Sequence, residues 1–372
     1  MIKKFPFYIQ TTVILAGLTL LVYVISILQN ILIPLTFALI LSILLNPLVD
    51  KLVALRIPKV PAILLAVVIG LLVFTGIAYF LSSQIMNFGH ELPQLNQRIS
   101  EFSGQAQQWL QQKINIRIET QQKFLHEATA QLKPIMERMA GTLFGTILMA
   151  FLVPIYIILI LYYKNLILNF VFELFAERHS EEVGKVLMGS KLAVQSYMMG
   201  LLIEGAIVAS LNSLALLILG VKYAFLLGVL GAIVNVLPFI GGVLSTLLPL
   251  FVATITKGGI STQVGIVILY VLIQFADNHF LIPWVVSSRV KLNALISLIV
   301  VWLGGAVWGL GGMFLSIPII GILKIVLDRI PGLQPWGKLL GNELPLRPRG
   351  RFLLRGKATG KVSSDDKSGN KK

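Results

Sequence analysis

Residues 223–256 read YAFLLGVLGAIVNVLPFIGGVLSTLLPLFVATIT, 34 positions without a single Asp, Glu, Lys or Arg. As one straight α-helix the stretch would be about 50 Å long at 1.5 Å per residue, whereas the hydrocarbon core of a bilayer is about 30 Å thick. Pro238, Gly241, Gly242 and Pro249 interrupt it from within. A segment this apolar belongs in lipid, and one with these breakers cannot be a single upright span. Residues 294–323 repeat the situation over about 45 Å, with Gly304, Gly305, Gly309, Gly311, Gly312 and Pro318 inside.

Broken helices in hydrocarbon leave backbone N–H and C=O groups unpaired, at several kcal/mol each. They survive only where protein or a water-filled cavity receives those groups. Interrupted helices at matching places are also the best sequence pointer to a transporter's binding site. The competing reading is that small residues merely let helices approach closely. Both readings stand at the level of sequence.

Composition sets the same frame for the whole chain. Of 372 residues 56% are hydrophobic and only 13% charged, with a mean hydropathy of +0.86. Soluble domains carry about 25% charged residues, so this chain could not cover its surface in water. The net charge of +15 raises nucleic acid as a partner. Yet from Pro331 onward ten basic side chains face three acidic ones, a surplus of seven beside a membrane segment. That pattern fits a cytoplasmic tail drawn to anionic lipid, and no nucleic-acid partner is expected. There is no cysteine, which excludes disulfides and thiolate metal sites.

Further apolar segments lie at about 7–28, 31–55, 61–83, 140–163, 195–220 and 261–282. The expected fold is all-α and polytopic, with about eight transmembrane segments, two of them broken or re-entrant. Lys3 and Lys4 precede the first run, which lacks an A-x-A cleavage site, so a retained span is expected. The second segment holds Pro34 and Pro47 and is expected to be short or tilted. Lys51, Arg56 and Lys59 after it place that loop, with the N-terminus, in the cytoplasm.

Four regions follow from this. Residues 1–83 form a transmembrane hairpin and a third span. Residues 84–140, with Leu110, Ile114 and Ile118 at helical spacing, read as an extracytoplasmic insertion of amphipathic helices. Residues 141–330 form the transport core, interrupted by a charged surface helix at 164–191. Residues 331–372 form a basic cytoplasmic tail expected to be disordered. With both termini inside, the crossings must be even in number. Either both long broken segments cross, giving eight, or both re-enter, giving six.

Three motifs in the C-terminal half carry a family resemblance. Asn235-Val-Leu-Pro238-Phe239-Ile-Gly241 followed by Pro249, Gln274-Phe-Ala-Asp277-Asn278-His279-Phe-Leu281-Ile-Pro283, and Leu303-Gly304-Gly305 with Gly309, Gly311, Gly312 and Pro318 resemble, in that order, the signatures of the AI-2E (autoinducer-2 exporter) family of prokaryotic permeases. The match covers roughly 195–330. Asp277 stands where the family more commonly has Glu, and Leu292-Asn293-Ala294-Leu295 replaces its L-x-P-L pattern. The resemblance implies export of a small polar solute, while some members resemble cation/proton antiporters in function.

Ionisable groups inside spans are costly and are functional candidates by default. Glu204 lies in Leu201-Leu-Ile-Glu204-Gly205, with no Lys or Arg within a turn or two. Its carboxyl must be protonated, meet a partner from another helix, or face water; an interfacial place satisfied by a loop is the bland alternative. Gln274, Asp277 and Asn278 offer donors and acceptors for a polyhydroxylated solute, or oxygen ligands for a cation; a packing network is the bland alternative there. The expected transport pathway comprises Glu204, Asn235, Pro238, Gly241, Gly242, Gln274, Asp277, Asn278, Gly304 and Gly305.

Catalysis has little support. His90-Glu91 and His126-Glu127 lack the second histidine of a zinc-binding helix, and no phosphate-binding G-x-x-x-x-G-K-[ST] occurs. No enzyme activity, metal or cofactor is expected. The readings that remain are an exporter coupled to a proton or ion gradient, a monovalent cation/proton antiporter, and a non-transporting scaffold assembled through 84–140. That insertion points to a homo-oligomer, and the other expected partners are membrane lipids and the solute or cation.

Overall fold

The computed structural model describes residues 6–90, 143–237, 241–256, 260–286 and 292–342. Most of the 84–140 insertion, Pro238 and the tail beyond residue 342 lie outside the described residues. What is described is helical, with no strand among the described residues. In chain order the elements are α1 (Phe7–Ile27), α2 (Gln29–Ala54), α3 (Lys59–His90), α4 (Leu143–Tyr162), α5 (Lys164–Ile218), α6 (Ala224–Asn235), α7 (Gly241–Thr256), α8 (Ile260–Ala276), a π-helix (Asp277–Val286), α9 (Ala294–Arg329) and α10 (Gln334–Leu340).

Six of these are long and apolar enough to cross a membrane, and seven if the bent pair at α4 and the start of α5 counts as one more. Lipid is their natural solvent. Along α1, Leu15, Leu18, Leu20 and Leu21 are all exposed, the all-round apolar surface of a membrane helix. The hydroxyls that do occur are satisfied locally: Thr36 and Ser42 each donate to the carbonyl four residues back, at 2.7 and 2.6 Å, which removes their cost in hydrocarbon.

α5 is the spine. Its 55 residues would measure about 82 Å, so it is longer than any bilayer core. The charged stretch 164–191 is therefore not a separate surface helix: it runs without a break into the membrane segment that holds Glu204. At its start, α4 and α5 meet at 63°, and Lys164 donates to the Asn46 amide oxygen at 2.9 Å. One apolar core joins α2, α3 and α4 through Ala38, Ala62, Ile63, Ala66 and Ile157. A second joins α5 to α8 through Leu216, Leu227, Val252, Ile266 and Tyr270. A third, with Ile40, Val194, Met198 and Leu315, seats α2 and α9 on the spine. α2 is one continuous helix despite Pro34 and Pro47, because Pro34 is buried and its neighbours hold the line of the chain.

Both long apolar segments fold back on themselves. α6 and α7 have 12 and 16 residues, about 18 and 24 Å, and neither reaches across a 30 Å core. They pack as a hairpin: a Cβ added to Gly241 would lie 2.6 Å from the Asn235 Cα, and one on Gly231 would lie 3.4 Å from the Ser245 Cβ. In α9 the break falls at Trp308 and Gly309 (φ 58°, ψ −143°), a backbone region essentially reserved for glycine. The two arms then cross so closely that a Cβ on Gly304 would sit 2.6 Å from the Gly312 carbonyl oxygen and strike the Ser316 hydroxyl.

The ends of α9 are fastened. Asn293 caps it by accepting from Ile296 N at 3.1 Å, its backbone N–H donates to Leu340 O at 3.0 Å, and Leu292 pairs with Gly341. The tail expected to be disordered from 331 is thus folded through α10. Likewise α3 carries the third span past residue 83 to His90.

Gly304→Ala is expected to lower the unfolding temperature in detergent through overpacking of about 1–3 kcal/mol. Gly17→Ala, where an added Cβ meets nothing within 4 Å, should leave it unchanged. Thermal challenge followed by gel filtration reads both, and an unaffected Gly304→Ala would contradict the close crossing.

Candidate functional site

Four elements converge on two buried carboxyl groups. Glu204, 6% exposed, comes from the C-terminal half of α5, and Asp277, 1% exposed, from the first residue of the π-helix. Asn235, at the last turn of α6, donates its Nδ2 to Asp277 Oδ2 at 2.9 Å. Asp277 Oδ1 is buried without a hydrogen-bond partner among the described residues.

Local sequence explains each placement. The first hairpin turns between Asn235 and Gly241, so Asn235 is freed from the regular helix end to reach across to α8. Gly241 is where the two arms meet. Gly242 lets the Gln274 side chain lie against its backbone; any Cβ there would collide with the Gln274 amide. Gln274 thus joins the site through the first hairpin. Farther along α6, Gly228 lets α5 approach so nearly that a Cβ would lie 2.6 Å from Ser213 N, and Gly231 faces the Asn212 amide.

At the end of α8 the winding widens into a π-helix, a form frequent at functional sites. Asp277, its first residue, is buried, whereas Asn278 and His279 are exposed. Helical spacing in the sequence puts Asn278 on the same face as Gln274, and in the structure it lies outside the buried site. His279 is occupied on the outer side, with Nδ1 3.0 Å from Phe275 O and its ring stacked on Phe275 at 4.2 Å.

Gly304 and Gly305 have their near neighbours, Gly312, Ser316 and Met313, inside their own hairpin. In that hairpin small residues serve close approach. Trp308 at its tip donates Nε1 to Ile25 O of α1 at 3.0 Å. Sequence reasoning passed over Tyr197, which lies two turns before Glu204 on the same face of α5 and is buried. The seven-residue spacing was the available signal.

Two carboxyl groups in a low dielectric cannot both be charged without help, because like charges there repel strongly. The arrangement can hold a proton, or a cation shared between carboxylate and amide oxygens. No cluster of three or more metal-binding side chains occurs among the described residues.

The Asn235–Asp277 bond makes a testable pair. Asn235→Ala and Asp277→Ala each should lower the unfolding midpoint in detergent. The double variant should lose less than the two combined, with a coupling of about 0.5–3 kcal/mol. Strict additivity would mean the bond contributes nothing.

Comparison with known proteins agrees with this architecture. The model of the family described as AI-2E family transporter matches residues 13–332. The AI-2 transport protein TqsA of Escherichia coli (strain K12) is 25% identical over 316 residues, covering 84% of this chain and 90% of that protein. A protein of Bacillus subtilis (strain 168) named "Putative transport protein YrrI" is 22% identical over 311 residues, covering 81% of this chain and 87% of its own length.

Proposed function

The chain belongs to the AI-2E family of transporters, and we propose that it exports a small polar solute resembling autoinducer-2, driven by a proton gradient. The observation that carries this reading is the buried pair Glu204 and Asp277, set where a hairpin of two half-length helices meets a π-helix. With one carboxyl already protonated, a second proton bound there neutralises the pair. Its release restores a negative charge that a solute hydroxyl or a cation must then satisfy. Asn235 and Gln274 supply the donors and acceptors that orient the solute beside it. TqsA, named for transport of AI-2, supports the solute class.

In this reading six helices cross the bacterial inner membrane, both termini are cytoplasmic, and the hairpins α6–α7 and α9 enter and return. The 84–140 insertion is then external and joins subunits into a homo-oligomer. The chain acts as a carrier and not as an enzyme. One observation favours a second reading: carboxylate and amide oxygens together also suit a monovalent cation, which would make the protein a cation/proton antiporter.

Efflux of autoinducer-2 from proteoliposomes under an imposed pH gradient tests the proposal. Glu204→Gln and Asp277→Asn are each expected to cut the pH-driven rate by about tenfold or more, the equivalent of 1.4 kcal/mol. Efflux that persists undiminished in both variants would rule the carboxyl pair out. Cation-driven proton movement without autoinducer-2 flux would select the antiporter.

A further inference from the structure

The interior face of α8 carries more polar atoms than the Asp277 site uses. Gln263, Tyr270, Gln274 and Asp277 are separated by 7, 4 and 3 residues. At 100° per residue they fall within about 60° of one another, a single stripe running about 21 Å along the helix. Three of the four end in a buried polar atom without a hydrogen-bond partner among the described residues: Gln263 Oε1, Tyr270 OH and Asp277 Oδ1. Tyr270 is only 4% exposed and sits among Leu216, Leu227, Val252 and Ile266.

Buried polar groups are almost always paired, and three exceptions on one stripe call for an explanation. An apolar residue of similar size would pack at each place without that cost. Side chains on a helix lean toward its N-terminus, so the Tyr270 hydroxyl reaches back toward Gln263 and shortens the longest gap in the row. The opposite face is ordinary: Ile268 and Leu272 are exposed and apolar.

We propose that Gln263 and Tyr270 line a hydrated access route that runs along α8 from its N-terminal end to the carboxyl pair, passing between α8 and the α5–α7 layer. This rests on the reading of Glu204 and Asp277 as the transport centre and extends it to residues outside that centre. In the topology proposed above, the N-terminal end of α8 is extracytoplasmic, so this is the exit path of the solute and the entry path of the proton. Gln263 and Tyr270 act as successive hydrogen-bond stations and touch the solute in transit.

The natural lack of cysteine makes a direct test possible in whole cells. Single substitutions Gln263→Cys, Gln274→Cys, Ile268→Cys and Leu272→Cys are reacted with a charged, membrane-impermeant methanethiosulfonate. Because only a hydrated thiolate reacts, Gln263→Cys and Gln274→Cys should label about tenfold faster than the two lipid-facing controls. Adding Gln263→Leu and Tyr270→Phe, which keep the bulk and remove the polar atoms, should slow labelling at Gln274→Cys by about tenfold.

Labelling at Gln274→Cys that is as slow as in the controls, or that is indifferent to the two apolar substitutions, overturns the route. Proteoliposome flux separates this from the parent reading. If labelling follows expectation while Glu204→Gln and Asp277→Asn still transport, the route stands and the carboxyl centre falls. If those variants fail to transport while labelling contradicts expectation, the reverse holds.

Discussion

Hydrocarbon offers no water to a peptide group or a side chain that has lost its partner, and this single constraint shapes every irregular place in the molecule. Where the chain must interrupt a helix, it folds the two halves against each other and fills the gap with its own atoms. The α6–α7 hairpin does this with Gly241 against Asn235. The α9 hairpin does it with Gly304 against Gly312. The same rule governs side chains: hydroxyls of α2 bond back to their own helix, and Trp308 finds a carbonyl on α1. Against that background Asp277 Oδ1, with Gln263 Oε1 and Tyr270 OH, is an exception: buried without a hydrogen-bond partner among the described residues.

The two hairpins solve one problem and serve different ends. In α9 the small residues face one another, and the outcome is a tight crossing seated on α2 and the spine. In α6–α7 the small residues face outward as well: Gly228 and Gly231 admit α5, and Gly242 admits Gln274. In α6–α7 the side chains so gathered are polar, whereas those around α9 are apolar. A broken helix does not by itself create a polar centre.

Much of the fold was legible because its causes are local in sequence. Apolar runs and their breakers marked the helices and both interruptions, without deciding between crossing and re-entry, and Glu204, Asn235, Gln274 and Asp277 were chosen as charged or polar groups in apolar surroundings. What sequence did not disclose depends on winding and on distant neighbours. Asn278 is exposed beside a buried Asp277, a difference between adjacent residues that depends on which side of the helix its neighbours cover. Gly304 and Gly305 look the same in sequence as Gly241 and Gly242, and only the opposing arm tells them apart. The continuity of α5 through its charged half was hidden because composition changes there while helical geometry does not.

Several contacts that fasten the second hairpin are made between residues 292 and 341: the glycine crossing, the Asn293 cap, and the pairing of Leu292 with Gly341. Contacts close in sequence form quickly, because little chain entropy is lost in making them. This element can therefore assemble as a unit soon after the ribosome releases it, closing its own exposed peptide groups before it docks. The carboxyl centre, whose parts span α5 to α8, must wait for a slower and more distant collapse.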